Sequence, residues 1–164
     1  MREVRKTFTK GCKPGDFRLV EYSIQRDHLH LIVEAESRDA LSRGMISISA
    51  RFARAVNRVF RRVGQVIAGR YHVQLLKSPT QVRNALRYVL LNIQNHFKQR
   101  YRQAPPVKTD AASSGSQFDG RRPSPETLPA VATQEEVGVA KAANWLLSTG
   151  WRRRGLIRLS EVPG

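Results

Sequence analysis

The stretch that decides the fold is Arg26-Asp27-His28-Leu29-His30-Leu31-Ile32-Val33-Glu34. Its apolar and β-branched residues are typical of a strand, and it carries two of the chain's four histidines, one residue apart. Because side chains alternate between the faces of a strand, His28 and His30 are expected on one face and the intervening leucine on the other. Two imidazoles side by side on one face of a sheet make half of a metal site.

Strand signals also lie on both sides of this stretch. Residues 17–24 (FRLVEYSI) are rich in aromatic and β-branched residues, which is typical of a strand. A tight turn of Gln25, Arg26 and Asp27 would join them to the histidine strand as a hairpin. A further strand is predicted over residues 66–76 (VIAGRYHVQLL), with Gly69 at a bulge or a close backbone approach.

A long amphipathic helix is predicted after the hairpin, over about residues 39–62. Ser37 or Asp39 can cap its N-terminus, and Gly64 is expected to end it. Apolar residues recur at helical spacing along one side. They are Leu41, Met45, Ile48, Phe52, Val56 and Val59. The opposite side carries arginines, so the helix is expected to pack against the sheet with one side only.

A second long helix is predicted from Ser78-Pro79 to about Arg100, because a serine N-cap followed by proline is a strong start signal. Its buried stripe is expected to be Val82, Leu86, Val89, Ile93 and Phe97. Another stripe combines amides with one tyrosine and has no charge: Gln81, Asn84, Tyr88, Asn92, Asn95 and Gln99. A solvated helix face usually carries Lys and Glu, so this stripe indicates a partly enclosed polar site.

The composition changes after the second helix and predicts three regions. Residues 1–102 form the main domain, residues 103–132 a Pro-, Ser- and Gly-rich linker, and residues 133–164 a C-terminal helix with a basic tail. That helix is predicted over about 134–148, where Thr133 and Glu136 have the spacing of a capping box.

The charge favours a polyanionic partner. The net charge is +16, from 29 Lys+Arg and 13 Asp+Glu. Between Ala40 and Arg102 there is no acidic residue, against thirteen Lys and Arg, which indicates a phosphate-binding surface rather than an ordinary solvated face. The candidate DNA-binding residues are Arg51, Arg54, Arg58, Arg61, Arg62, Arg83 and Arg87. An anionic membrane is the less favoured partner, and no apolar run approaches the roughly 20 residues of a membrane span. A single cysteine, Cys12, suits a reducing cytoplasm.

The histidine stretch resembles a known motif. Asp27-His28-Leu29-His30-Leu31 is similar to the "HUH" motif, two histidines around a hydrophobic residue, of the IS200-like single-tyrosine (Y1) transposases, close to those associated with repetitive extragenic palindromes. Two further runs match blocks of that family in the same order, Arg70-Tyr71-His72 and Leu86-Arg87-Tyr88-Val89-Leu90-Leu91-Asn92. The resemblance covers roughly residues 17–97.

The resemblance implies a fold and a mechanism. The fold would be α+β, a ferredoxin-like antiparallel sheet with packed helices. His28 and His30 would hold a divalent metal, Mg²⁺ or Mn²⁺, with Asn92 as the third ligand. Tyr88 would be the nucleophile that cleaves single-stranded or hairpin DNA, giving a 5′-phosphotyrosine and a free 3′-hydroxyl. The protein would act in the bacterial cytoplasm, not at a membrane, and a homodimer is left open.

Alternatives stay open beside this interpretation. The family's domain usually opens with another strand in the middle of the sheet, and the roughly sixteen residues before Phe17 are too few for it. The strand is therefore expected to be missing, leaving backbone groups of the hairpin unpaired. A catalytically inactive or domesticated relative that only binds nucleic acid is the main alternative, and a basic scaffold is a third. His28 and His30 could be ordinary sheet residues and Tyr88 a packing residue, while His72 and His96 are expected to be structural.

Overall fold

The computed structural model describes residues 4, 7–8, 15–101, 110, 112–122 and 138–161, with side chains to residue 92 in the second long helix. The chain divides into two compact units, each built from segments that are distant in sequence. The first unit comprises Met1–Val20, Val33–Leu75 and Glu136–Lys141. The second unit comprises Glu21–Ile32, Leu76–Glu135 and Ala142–Gly164.

The elements confirm the α+β class. Strands β1 (Phe17–Ile24) and β2 (Leu29–Ala35) form an antiparallel two-stranded sheet within the described residues. The α-helices whose bounds lie within the described residues are α1 (Arg38–Val59), α2 (Pro79–Tyr101) and the short α3 (Trp145–Ser148). Two 3₁₀ helices cover Ser114–Gln117 and Gly150–Arg154.

The hairpin forms as the sequence predicts. The backbone N–H of Gln25 donates to the carbonyl of His28 at 2.9 Å, which closes a loop over Arg26 and Asp27. Gln25 and His28 are therefore paired across the strands, and this pair fixes the register next to the turn.

In the first unit, α1 packs closely against the start of β1. Ser37 is its N-cap, with the side chain accepting from the N–H of Ala40 at 3.0 Å. A Cβ added at Gly44 would lie 2.3 Å from the ring of Phe17, so glycine is what allows this close approach. The buried α1 residues are Ala40, Ile48, Phe52 and Ala55. The predicted helix is confirmed, but Val59 is exposed and the helix ends there, before Arg61 turns to a positive φ of 48°.

The strand predicted over residues 66–76 is wrong. Residues 70–77 have no regular secondary structure, and Tyr71, Val73 and Leu75 are exposed. A strand is stabilised by a hydrogen-bonded neighbour and by burial of one face. The described part of this segment has neither, so its β-branched composition does not decide its conformation.

In the second unit, α2 carries the hydrophobic core. Val82, Leu86 and Val89 are buried as predicted, together with Leu90 and Leu91, while Ile93 and Phe97 lie outside the residues whose side chains are described. Trp151 and Ile157 from the C-terminal region complete this core, and Phe118 stacks on Trp151 with ring centroids 5.6 Å apart. The C-terminal region is thus part of the core of this unit.

Part of the predicted linker is folded. Residues 112–122 include a 3₁₀ helix, and Ser113 forms an antiparallel bridge with Ser23 of β1. The N–H of Ile24 donates to the carbonyl of Ala112 at 2.9 Å. In the first unit, the N–H of Ala140 donates to the carbonyl of Leu19 at 2.8 Å. The expectation that backbone groups of the hairpin are left unpaired is therefore wrong at Leu19 and Ile24.

The C-terminal helix is shorter than the sequence predicts. Residues 138–143 are not helical, and the helix begins only after Asn144, whose side chain accepts from the N–H of Leu146 at 2.8 Å. Residues 134–137 lie outside the described part of the chain. The side chain of an asparagine N-cap accepts a hydrogen bond from a backbone N–H of the first helical turn, and the cap residue itself is not helical. A cap at Asn144 therefore favours a helix that starts after it over one that runs through it. The three-region division of the sequence stays a prediction.

Candidate active site

The two histidines of the hairpin lie side by side. The ring centroids of His28 and His30 are 4.6 Å apart with planes at 77°. The alternation of side chains along the strand predicts this arrangement. Nδ1 of His28 lies 2.6 Å from Oδ1 of Asp27. An Nδ1–H donated to that carboxylate leaves the lone pair on Nε2, which is how metal-binding imidazoles are commonly oriented.

Tyr88 of α2 meets this histidine pair. Its ring lies edge-on to the ring of His30, with centroids 4.9 Å apart and planes at 79°. Tyr88 is 39% exposed, whereas its neighbours Val89 and Leu90 are buried. The tyrosine is therefore off the apolar stripe of the helix, as the sequence predicts, and substrate can reach it from solvent.

Asn92 lies one helical turn after Tyr88 and is only 1% exposed. Residues four apart on a helix share a face, so Asn92 and Tyr88 belong to the same side of α2. Gln81 and Asn84, earlier on this stripe, are exposed. Asn95, His96 and Gln99 lie beyond the residues whose side chains are described. Among the stripe residues whose side chains are described, Asn92 is thus the enclosed one.

The donor set fits a divalent cation held by mixed ligands. Two imidazoles share one face, and an amide one turn beyond Tyr88 offers an oxygen. Imidazole nitrogen and amide oxygen are both ligands of divalent first-row metals, and oxygen donors suit Mn²⁺ and Mg²⁺. Among the described residues there is no cluster of three His, Cys, Asp or Glu that could hold a metal ion. If a third ligand comes from the described residues, it is of another type, such as the amide of Asn92.

A buried polar network joins the end of β1 to Asp110. Ser23 Oγ donates to Oδ2 of Asp110 at 3.2 Å, and Gln25 Nε2 donates to the same oxygen at 3.3 Å. The other oxygen of Asp110 accepts from the N–H of Ala112 at 2.8 Å. The sequence prediction missed this network because Asp110 falls in the predicted linker. The signal that could have indicated it is the polar residue at every second position of β1, at Glu21, Ser23 and Gln25.

Glu21 is a second buried carboxyl group of this unit. Ser114 Oγ donates to Oε2 of Glu21 and also bonds the backbone of Tyr22. Burial raises the pKa of Glu21 to about 7. Asp119 also raises this pKa, while the hydrogen bond from Ser114 and the charge of Arg121 lower it. Burial lowers the pKa of Arg121.

The predicted DNA-binding arginines of the first unit are mostly exposed. Arg54 and Arg58 project from α1, and Arg61 and Arg62 follow its end. Arg51 is half-buried, and its Nη1 has no hydrogen-bond partner within the described part of the chain. Arg51, Arg54 and Arg58 are spaced three and four apart, so they share one side of the helix. Their role in DNA binding stays a prediction.

The two predicted arginines of the second unit differ from each other. Arg83 donates to both carboxylate oxygens of Glu161, at 2.7 and 3.0 Å, and to the carbonyls of Gly155 and Leu156. This guanidinium is held by the fold, which favours a structural role. Arg87 is half-buried beside Tyr88, and its Nε has no hydrogen-bond partner among the described residues. Arg87 is therefore the better placed of the two for a phosphate.

A family model described as "Transposase IS200 like" matches residues 1–92. The chain belongs to the IS200-like transposase family. This membership indicates a transposase role, and it confirms the resemblance inferred from the histidine and tyrosine motifs. A special closeness to the transposases of repetitive extragenic palindromes stays a prediction. Neither the curated proteins nor the solved structures include a match to the chain.

The matched region of this IS200-like transposase ends at Asn92. The matched region contains the candidate metal ligands His28, His30 and Asn92 and the candidate nucleophile Tyr88. Asp110, Ser114 and Glu161 lie beyond it. Within the described residues, none of the helices is long and apolar enough to cross a membrane.

Proposed function

We propose that this IS200-like transposase cleaves and rejoins single-stranded DNA with Tyr88 as its nucleophile. The observation that carries the proposal is the edge contact between Tyr88 and His30, at 4.9 Å between ring centroids. It brings an accessible phenol against a pair of imidazoles within one compact unit.

The reaction is a transesterification at phosphorus. The Tyr88 oxygen attacks the scissile phosphate, the bond from phosphorus to the 3′ oxygen breaks, and a 5′-phosphotyrosine forms. The phenol loses its proton, and the departing 3′ oxygen takes one up to become a free hydroxyl. Rejoining is the reverse, with a 3′-hydroxyl attacking the phosphotyrosine. The covalent intermediate conserves the energy of the phosphodiester, so no nucleotide cofactor is required.

His28, His30 and Asn92 are the residues proposed to hold a divalent cation, Mg²⁺ or Mn²⁺. When bound, the cation supplies positive charge that stabilises the phosphoryl oxygens of the transition state. His28 is oriented by its contact with Asp27, and Asn92 is fixed by its burial on α2. These two restraints limit the positions that the His28 ring nitrogen and the Asn92 amide oxygen can take. A metal and its phosphate would therefore bind in one fixed arrangement relative to Tyr88.

The exposed arginines of the first unit are proposed to bind the DNA backbone. Arg54, Arg58, Arg61 and Arg62 lie within nine residues of each other in the sequence, and no acidic residue interrupts them. Neutralising phosphates with arginine releases counterions, so affinity for DNA should fall steeply as salt rises.

The test compares wild-type protein with Tyr88→Phe on a labelled hairpin DNA that carries a single-stranded flank, with Mn²⁺ or Mg²⁺. Wild type should form a covalent adduct that survives denaturing electrophoresis. Tyr88→Phe should form none and should bind the same DNA with an affinity within about threefold, because the substitution removes only the hydroxyl. Tyr71→Phe is the matched control, since Tyr71 is an exposed tyrosine of the first unit.

The outcomes separate the candidate functions. DNA binding by wild type without any adduct would support the alternative of a catalytically inactive nucleic-acid-binding protein. Adduct formation by Tyr88→Phe at the wild-type level would show that another residue is the nucleophile. An absence of DNA binding at moderate salt would contradict both functions.

A further inference from the structure

Asp110 is a buried carboxylate that the proposed reaction does not use. It is 4% exposed and lies beyond the residues matched by the family model. Its two carboxylate oxygens accept from Ser23 Oγ, Gln25 Nε2 and the N–H of Ala112, at 3.2, 3.3 and 2.8 Å. Burying a carboxylate costs free energy unless it is hydrogen-bonded, and these three donors offset that cost. The group is thus built into the fold and is not an incidental surface charge.

The hairpin register places this network opposite the histidines. Gln25 pairs with His28, because the N–H of Gln25 donates to the carbonyl of His28 at 2.9 Å. Moving two residues along each strand pairs Ser23 with His30. Directly opposed residues of an antiparallel pair project their side chains to the same face, with Cβ atoms about 4.5–5.5 Å apart. The two side chains bound to Asp110 are therefore the cross-strand neighbours of the two histidines.

We propose that Asp110 is a positioning residue for the His28–His30 pair. The inference rests on the proposed function, since it assigns Asp110 a part in preparing the same metal-binding face. Asp110 holds the side chains of Ser23 and Gln25 in one arrangement, and these side chains are the cross-strand neighbours of the imidazoles. Outer-shell groups orient the ligands of metal sites, and loss of one that bonds a ligand directly typically costs about 10- to 100-fold in metal affinity.

A purely structural role for Asp110 is the rival explanation. Its segment also attaches to β1 at Ala112 and Ser113, so loss of Asp110 could simply loosen that attachment. Ser114 provides the matched control. Its hydroxyl anchors the same segment to β1 through Glu21 and the backbone of Tyr22, and these hydrogen bonds do not involve Ser23 or Gln25. Ser114→Ala therefore weakens the attachment while leaving the network of Asp110 in place.

The experiment measures Mn²⁺ binding to the full chain by electron paramagnetic resonance, without DNA. Asp110→Ala should raise the dissociation constant for Mn²⁺ by about tenfold, the lower end of the range for outer-shell groups, because Asp110 acts through Ser23 and Gln25. Asp110→Asn should stay within about threefold of wild type, because the Ser23 hydroxyl and the Gln25 amide can reorient to complement an amide. Ser114→Ala should also stay within about threefold, although its thermal midpoint should fall.

Two results would overturn the inference while leaving the proposed function intact: wild-type Mn²⁺ affinity in folded Asp110→Ala, or equal losses of affinity in Asp110→Ala and Ser114→Ala.

If Asp110→Ala does not fold, Ser23→Ala decides, since it removes only the hydroxyl opposite His30. It should weaken Mn²⁺ binding severalfold, and unchanged affinity would reject the role of Asp110. If wild type binds no Mn²⁺, the metal site fails and the inference fails with it, whatever the Tyr88 adduct test shows.

Discussion

The ring of Tyr88 stands edge-on against the ring of His30, with 4.9 Å between their centroids. One residue belongs to the middle of a helix and the other to a strand near the start of the chain. Edge-to-face contacts of aromatic rings are favourable by about 0.5–1.5 kcal/mol beyond the burial of area. The contact therefore helps to hold the phenol of Tyr88 beside the imidazole pair before any substrate arrives.

Removal of one imidazole should abolish tight metal binding. His30→Ala should weaken Mn²⁺ binding by more than about tenfold, because a direct ligand contributes at least as much as an outer-shell group. Adduct formation should fall with it. His72→Ala is the control, since His72 is an exposed histidine of the first unit with no secondary structure around it. Titration of Mn²⁺ checks both variants, and a similar loss in each would contradict the assignment of His30.

Arg83 and Arg54 should behave differently although both were predicted to bind DNA. Arg83→Ala should lower the free energy of unfolding by about 1.5–3 kcal/mol, because it removes charge-assisted hydrogen bonds to Glu161. It should leave the salt dependence of DNA binding unchanged. Arg54→Ala should leave stability unchanged and reduce the slope of log K against log salt by about 0.7, the value for one phosphate contact with a single strand.

Urea unfolding and DNA titrations at four salt concentrations check this pair of variants. Glu161→Gln tests the same Arg83 interaction from the other partner, because it keeps the shape of the Glu161 side chain and removes its charge. A reduced salt slope in Arg83→Ala, with stability intact, would show that the ion pair with Glu161 opens to bind DNA.

Glu21 should make the stability of the protein depend on pH. Its pKa is raised from 4.5 to about 7 in the folded protein, mainly by burial. The folded state therefore binds the proton of Glu21 more tightly than the unfolded state does. The stability that this proton contributes is present below about pH 4.5 and is lost as the pH rises to about 7. Glu21→Gln should remove this loss, which amounts to about 3–3.5 kcal/mol for a shift of this size.

The measurement is the urea midpoint of wild type and Glu21→Gln at pH 5 and pH 8. The two proteins should differ more at pH 8, in favour of the variant, because the glutamine carries no charge to bury. Equal differences at both pH values would show that Glu21 ionises in the folded state as easily as in the unfolded chain.

The candidate site was predictable because its signals are local. Alternation along the chain at the start of β2 places His28 and His30 on one face, and the helical spacing of α2 places Tyr88 and Asn92 on one side of that helix. The N-cap at Ser37 and the turn at Gln25 are also local signals, and the structure confirms both. The segment 66–76 failed because β propensity depends on a neighbouring strand, which no local pattern supplies.

The sequence by itself determined the hairpin, the two long helices, the basic charge and the residues that belong together as a motif. All of these follow from side-chain spacing or from composition. Only the tertiary structure decided that Tyr88 touches His30, that Arg83 is held by Glu161 and that Asp110 is buried beside Ser23 and Gln25. These contacts join residues 58 or more positions apart, and their choice depends on which groups the folded chain buries and which hydrogen bonds compensate that burial. The histidine face is thus specified by its own strand but supported by a segment that the sequence presents as a linker.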